Sequence, residues 1–171
     1  MEKKENKKKH LPLYGIGPAL CFSMALVTAV CIWLAHKGYI PGKIDNKVIK
    51  LVFLIIGIAL IIEGIVLFFG ADLNGNLQEN IKANRLKTKG SYKYVRNPCY
   101  CVFLFGCTGA LLIYANLVLF VLPFLFWIEM TIVLKNTEEK WLTNLYGQEY
   151  IDYCNRVNRC IPWFSRKRGR K

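Results

Sequence analysis

Apolar positions gather into four long runs, over residues 11–35, 48–69, 98–114 and 117–134, separated by polar, mostly basic stretches. The second run contains LVFLIIGIALIIEGIVLFF, which at about 1.5 Å of rise per residue reaches roughly 30 Å, enough to cross a bilayer core. The first is longer than the apolar part of a cleaved leader and ends without a small-x-small site, so it reads as a signal anchor. Only Ala115 and Asn116 separate the third run from the fourth, which predicts a tight helical hairpin. The third is short for a full span and is expected to tilt, or to begin nearer the interface at Asn97. Beyond the fourth, Trp141, Leu142, Leu145, Tyr146, Tyr150, Tyr153 and Val157 recur at helical spacing. That stripe predicts an amphipathic helix lying on the membrane with its aromatic face down. The fold class expected is all-α integral membrane, with four transmembrane helices and a C-terminal cytoplasmic amphipathic helix.

Composition agrees: 171 residues suit one domain, and 54% are hydrophobic. The net charge of +13 would suit nucleic acid, but the basic residues flank the oily runs instead of forming one soluble face. Topology signalling and anionic lipid headgroups explain them better, and no specific nucleic-acid partner is expected. Five lysines precede the first run, six basic residues lie between Gly70 and Asn97, and nine follow Leu134. The linker after the first run carries four, counting Lys50, and the hairpin tip none. With four spans and a cytoplasmic N-terminus, twenty of the 24 basic residues fall inside. Both termini and the segments 71–97 and 135–171 then meet the same membrane face.

The seven cysteines are odd in number and mostly sit within apolar runs, as small hydrophobes do. No paired C-x-x-C steps occur, and His10 and His36 are far from any cysteine cluster, so no metal site is expected. Neither a Cys-His or Ser-His nucleophile motif nor a nucleotide-binding glycine loop is present. Two acids do interrupt the spans, Glu63 and Glu129, each about 10 Å from the cytoplasmic end of its helix. An ionisable group at that depth is costly and marks a candidate site, unless a local partner explains it. The two are expected to floor a single cavity open to the cytoplasm.

Just ahead of the third run lies SYKYVRNPCY, residues 91–100. Asn97 followed by Pro98 suits a helix start, with the asparagine side chain capping free amides. A helix starting there turns its positive end to the cytoplasm, where it favours a carboxylate or phosphate. Arg96 adds a bidentate anion partner, and Tyr92, Tyr94 and Tyr100 add faces for a planar base or a cation. Where the fourth run leaves the bilayer, Glu138 and Glu139 face either Arg96 or a ligand ammonium.

GSYKYVRNPCY resembles the G-x-Y-x-x-x-R-H-P-x-Y signature of the isoprenylcysteine carboxyl methyltransferase and phospholipid methyltransferase superfamily. EEKWLTNLYGQEYIDYCNRVNRCIP is similar to that family's acidic, tyrosine-rich ending. The resemblance covers about residues 88–163, nearly half the chain. It implies an integral-membrane methyltransferase using S-adenosylmethionine, bound at the cytoplasmic face between the two motifs. Tyr92, Arg96, Asn97, Pro98, Tyr100, Glu138, Glu139, Tyr146 and Tyr150 are the cofactor-binding residues it implies. Arg96 and the start of the third run would meet the carboxylate, and Glu138 or Glu139 the ammonium. Arg96, Glu129 and Glu139 are the expected catalytic residues. One departure is Asn97, where the family has a histidine; asparagine hydrogen-bonds but does not titrate near neutrality. The chain then divides into a basic tail (1–10), two membrane helices (11–70), the methyltransferase-like region (71–163) and a second basic tail (164–171).

The function expected is carboxyl O-methylation of an isoprenylcysteine-like, lipidic substrate reached from the bilayer. N-methylation of a phospholipid headgroup is the alternative within the family. A non-catalytic anchor or scaffold is the alternative outside it. A carboxylate acceptor needs no base, whereas an amine must first lose a proton, for which Glu129 or Glu63 is the expected acceptor.

Overall fold

The computed structural model describes residues 16–71 and 85–162; the two basic tails, the first residues of the first run and the 72–84 part of the linker lie outside them. The described chain forms α1 (Gly17–His36), α2 (Lys47–Ala71), α3 (Pro98–Tyr114), α4 (Leu122–Asn136), α5 (Glu138–Tyr146) and α6 (Gln148–Arg156). Single tighter turns precede α3 and α4, at Gly90–Lys93 and Val118–Val121. The only extended pairings among the described residues are two isolated bridges.

Local chemistry sets most boundaries. Proline occupies the first turn of α1, α3 and α4, where its missing N–H costs nothing. Asn46 Oδ1 accepts from the amides of Val48 (2.9 Å) and Ile49 (3.1 Å), capping α2. Asn116 Oδ1 does the same for Val118 (3.0 Å) and Leu119 (3.3 Å). Asn97 corrects the expectation, because its side chain makes no cap on α3. Its amide Nδ2 instead donates to the Arg159 carbonyl at 3.3 Å.

Among the described residues, three apolar helical stretches are long enough to cross a bilayer: α1, α2 and the stretch beginning at Val118. α3, at 17 residues, is about 26 Å long. It is the helix against which α1, α2 and α4 pack, so protein rather than lipid covers much of it. Leu104, Phe105 and Leu111 are buried there among Leu20 and Met24 of α1, Leu67 of α2 and Phe126, Met130 and Leu134 of α4. The α2–α3 crossing is backbone against backbone: a β-carbon added to Gly57 would lie 2.7 Å from the Gly109 carbonyl oxygen. Outward, Phe22, Val52, Ile55, Ile62 and Val66 are exposed, as in a helix bundle whose solvent is lipid.

The bundle has two distinct ends. At one, the loop after α1 is tied to the α3–α4 hairpin by Ile44 N–H to Ala115 O (3.0 Å) and Leu117 N–H to Gly42 O (2.9 Å). At the other, Gly17 at the start of α1 packs under Tyr100, and Gly70 at the end of α2 packs under Ser91. The start of α3 and the end of α4 share that second end, together with α5 and α6.

The C-terminal region differs from the single surface helix expected. Gly147, at φ 58° and ψ −129°, breaks it into α5 and α6. A side chain is strained in that conformation. The break turns α6 back onto the bundle end, so Tyr150 and Tyr153 are buried in protein, 2% and 3% exposed, instead of facing lipid.

Candidate active site

The segment after α6 is stitched to the strip ahead of α3. Arg96 N–H donates to Asn158 O (2.8 Å), Asn97 N–H to Arg159 O (3.1 Å), and Cys101 Sγ to Cys160 O (3.1 Å). Residues some sixty positions apart in sequence thereby share one wall, and α5 supplies the other.

Glu139 stands between two guanidiniums. Arg159 donates to it through Nε (2.6 Å) and Nη2 (2.9 Å), a bidentate fork. Arg96 Nη1 lies 3.3 Å from Glu139 Oε1 and also donates to Cys154 Sγ. The three side chains are only 10%, 14% and 19% exposed for Arg96, Glu139 and Arg159. Within this pocket of charge, Arg96 Nε is buried and has no hydrogen-bond partner among the described residues.

The neighbouring acid behaves differently. Tyr100 O–H donates to Glu138, beside the first turn of α3. Glu138 and Glu139 lie past Asn136, where α4 ends. Burial pushes the Glu138 carboxyl above its usual range, with the Tyr100 hydrogen bond pulling back. Burial would also raise Glu139, but the Arg159 hydrogen bonds and the charges of Arg96, Arg159 and Lys135 hold it below that range. Arg159 is raised in turn, first by its bond to Glu139. Adjacent carboxyls are thus set apart by their surroundings.

A tyrosine layer backs the cluster. Tyr150 and Tyr153, with ring centroids 6.2 Å apart, pack with Val157, Leu142 and Tyr146. Burial raises the phenols of both, against the pull of the Arg96 charge. Tyr153 O–H donates to the Tyr92 carbonyl at 2.6 Å, while the Tyr92 ring lies 5.8 Å from Lys87 Nζ.

Arg96, Asn97, Pro98, Tyr100, Glu138, Glu139 and Tyr150 therefore meet at one bundle end, with Tyr92 and Tyr146 at its edge. Glu129 does not join them. It is exposed on the outer face of α4, 3.5 Å from Ser23 Oγ of α1. Glu63 is likewise exposed on α2. The expected shared floor of buried acids is absent from the described residues, because both helices turn these positions outward. Sequence reasoning assigned no role to Arg159, counted Cys154 with the cysteines and put Tyr153 in the lipid-facing stripe. The signal for Arg159 was a basic residue beside the terminal Ile161-Pro162, opposite an acidic pair that needed a counter-charge.

Comparison with known proteins completes the picture. The profile of the phospholipid methyltransferase family matches residues 52–149, more than half of the chain. Methanethiol S-methyltransferase 1 of Bradyrhizobium diazoefficiens is 38% identical over 79 residues, a stretch covering 46% of this chain and 27% of that protein. The chain thus spans about a quarter of the length of that curated relative. No solved structure matches.

Proposed function

The chain belongs to the phospholipid methyltransferase family, and from that premise we propose that it is an S-adenosylmethionine-dependent membrane methyltransferase. The observation that carries the reading is Arg96: a buried guanidinium, fixed by Glu139, with one N–H donor left over. An unsatisfied charged donor is expensive, and a carboxylate satisfies it. The positive end of the α3 dipole lies alongside and favours the same charge. Glu139 is already saturated by Arg159, so its part is to hold Arg96 in place. Glu138, bonded among the described residues through Tyr100, is the acid left for an ammonium. The faces of Tyr100 and Tyr150 suit a sulfonium or an adenine ring.

When bound, the cofactor supplies an electrophilic methyl group on a sulfonium. The chain's part is to orient it and to keep the site drier than bulk water, which shortens the approach of an acceptor. We read the acceptor as lipidic and anionic, a carboxylate in the first instance. Asn97 holds no titratable proton, and Glu63 and Glu129 face outward, so a relay to deprotonate an amine is not built from these residues. The named thiol substrate of the relative would share that anionic character as a thiolate. By the positive-inside rule, the excess of basic residues before the first run, between Gly70 and Asn97 and after Leu134 supports a cytoplasmic site.

The test is equilibrium binding of labelled S-adenosylmethionine to purified protein, followed by methyl transfer to three acceptors with matched chains. These are a prenylated cysteine carboxylate, a long-chain thiol and phosphatidylethanolamine. Binding with transfer to the anionic acceptors is expected. Transfer to the amine alone would reverse the acceptor assignment, and no binding would leave a membrane anchor.

A further inference from the structure

α1 and α2 both lean on α3 but scarcely on each other. The gap between them, near the α3–α4 hairpin and away from Arg96, is a cavity of about 810 Å³. Its walls are apolar, including Ile32 of α1, Leu54 and Ile61 of α2, and Ala110 and Ile113 of α3. Its mouth carries three cations, Lys43, Lys47 and Lys50. From Lys47 to Ile61 the helix rises about 21 Å, more than the depth of one leaflet's hydrocarbon.

The mouth is held by the hydrogen bonds that clamp the Gly42–Ile44 strip to the hairpin and by the Asn46 cap. Asp45 lies 3.5 Å from Lys50, but its side chain is 86% exposed. Among the described residues no carboxylate pairs with Lys43 or Lys47. An apolar channel of leaflet depth, ending in unneutralised ammonium groups at the membrane surface, is complementary to one class of molecule.

We propose that this groove is a binding site for one anionic glycerophospholipid, with its phosphate among Lys43, Lys47 and Lys50 and an acyl chain between α1 and α2. The site is separate from the methyl-transfer cluster, since its headgroup end is the opposite end of the bundle. The lipid there seals the α1–α2 gap and is not the acceptor. The proposal stands whether or not the chain transfers methyl groups.

Native mass spectrometry of the full chain in a non-ionic detergent tests it, with phosphatidylglycerol and phosphatidylcholine of identical acyl chains as probes. One phosphatidylglycerol is expected to be retained in preference to phosphatidylcholine. The K43Q/K47Q/K50Q protein should weaken that binding by about ten-fold or more, and K47Q alone by a few-fold. Ala110→Phe, which fills the groove, should weaken both lipids, whereas Lys37→Gln, at the same membrane face outside the groove, should leave binding within about two-fold. Equal retention of the two lipids overturns the proposal. So does a loss from Lys37→Gln as large as from the triple change, indifference to Ala110→Phe, or a lipid-free dimer in place of the adduct.

Discussion

Arg96→Lys separates the two jobs assigned to this residue. The lysine ammonium keeps a positive charge beside Glu139, and Glu139 keeps both Arg159 hydrogen bonds. What disappears is the planar fork and with it Nε, the buried donor without a partner. A hydrogen bond to a charged group contributes about 1.5–3 kcal/mol. At about 1.36 kcal/mol per decade, affinity for S-adenosylmethionine should fall roughly ten- to 150-fold. Because Glu139 keeps a cation beside it, stability should fall by less than the roughly 3–5 kcal/mol that breaking a buried pair costs. The thermal midpoint reads that loss at about 2–4 °C per kcal/mol for a chain of this size. Isothermal titration of purified protein with the cofactor, beside a thermal scan, reads both numbers. Unchanged affinity in a well-folded Arg96→Lys protein would show that Nε has no ligand to meet, and the cofactor assignment would go with it.

Acid should destabilise the protein through Glu139. Its carboxyl is held low in the folded state, so the unfolded chain takes up the proton first, and stability is lost as pH falls from the usual carboxylate range through the folded value. Glu138, held high, works in the opposite direction; thermal midpoints measured from pH 6 downward should therefore lose part of their acid slope in Arg159→Ala and gain slope in Glu138→Gln. Tyr100→Phe removes the hydrogen bond that Glu138 accepts among the described residues and should cost about two- to twelve-fold in cofactor affinity, the range of a typical hydrogen bond. Gly147→Ala meets no atom within 4 Å, so any loss comes from backbone strain at φ 58°, about 1–3 kcal/mol in thermal or denaturant unfolding. Asn97→His keeps an N–H to offer the Arg159 carbonyl and should retain cofactor affinity, whereas Asn97→Asp loses the donor and should bind several-fold more weakly; equal binding by both would remove the stitching role.

The helices were legible because an apolar run of bilayer length has few other fates. The α3 boundaries, Pro98 to Tyr114, followed from a proline start and a two-residue hairpin. The encounter of Arg96 with Glu139 was legible too, since charge asymmetry put their segments at one membrane face. What escaped was how α6 returns. Helical spacing makes an aromatic stripe look the same whether lipid or protein covers it, and only the positive φ of Gly147 decides between them. The orientation of Glu63 and Glu129 escaped for a similar reason. Depth along a helix can be counted from sequence, but the face that an apolar-all-round helix turns inward cannot.

On the proposed reading, charge balance sets which ligand the site prefers. Arg96 and Arg159 bring two fixed positive charges to one ionised carboxylate, Glu139, so the buried cluster carries a surplus of one positive charge. A surplus of that kind, at 10–19% exposure, is costly to leave unmatched in a poorly solvated place. One α-carboxylate would cancel it. Glu138 poses the converse problem, because burial pushes its carboxyl above the usual range and a cation close by would favour its charged form. A ligand that brings a carboxylate and an ammonium on one carbon relieves both at once, while an anion or a cation alone relieves one. The same ligand without its ammonium should bind more weakly to the wild type than to Glu138→Gln, in which the acid that needed a partner has been removed.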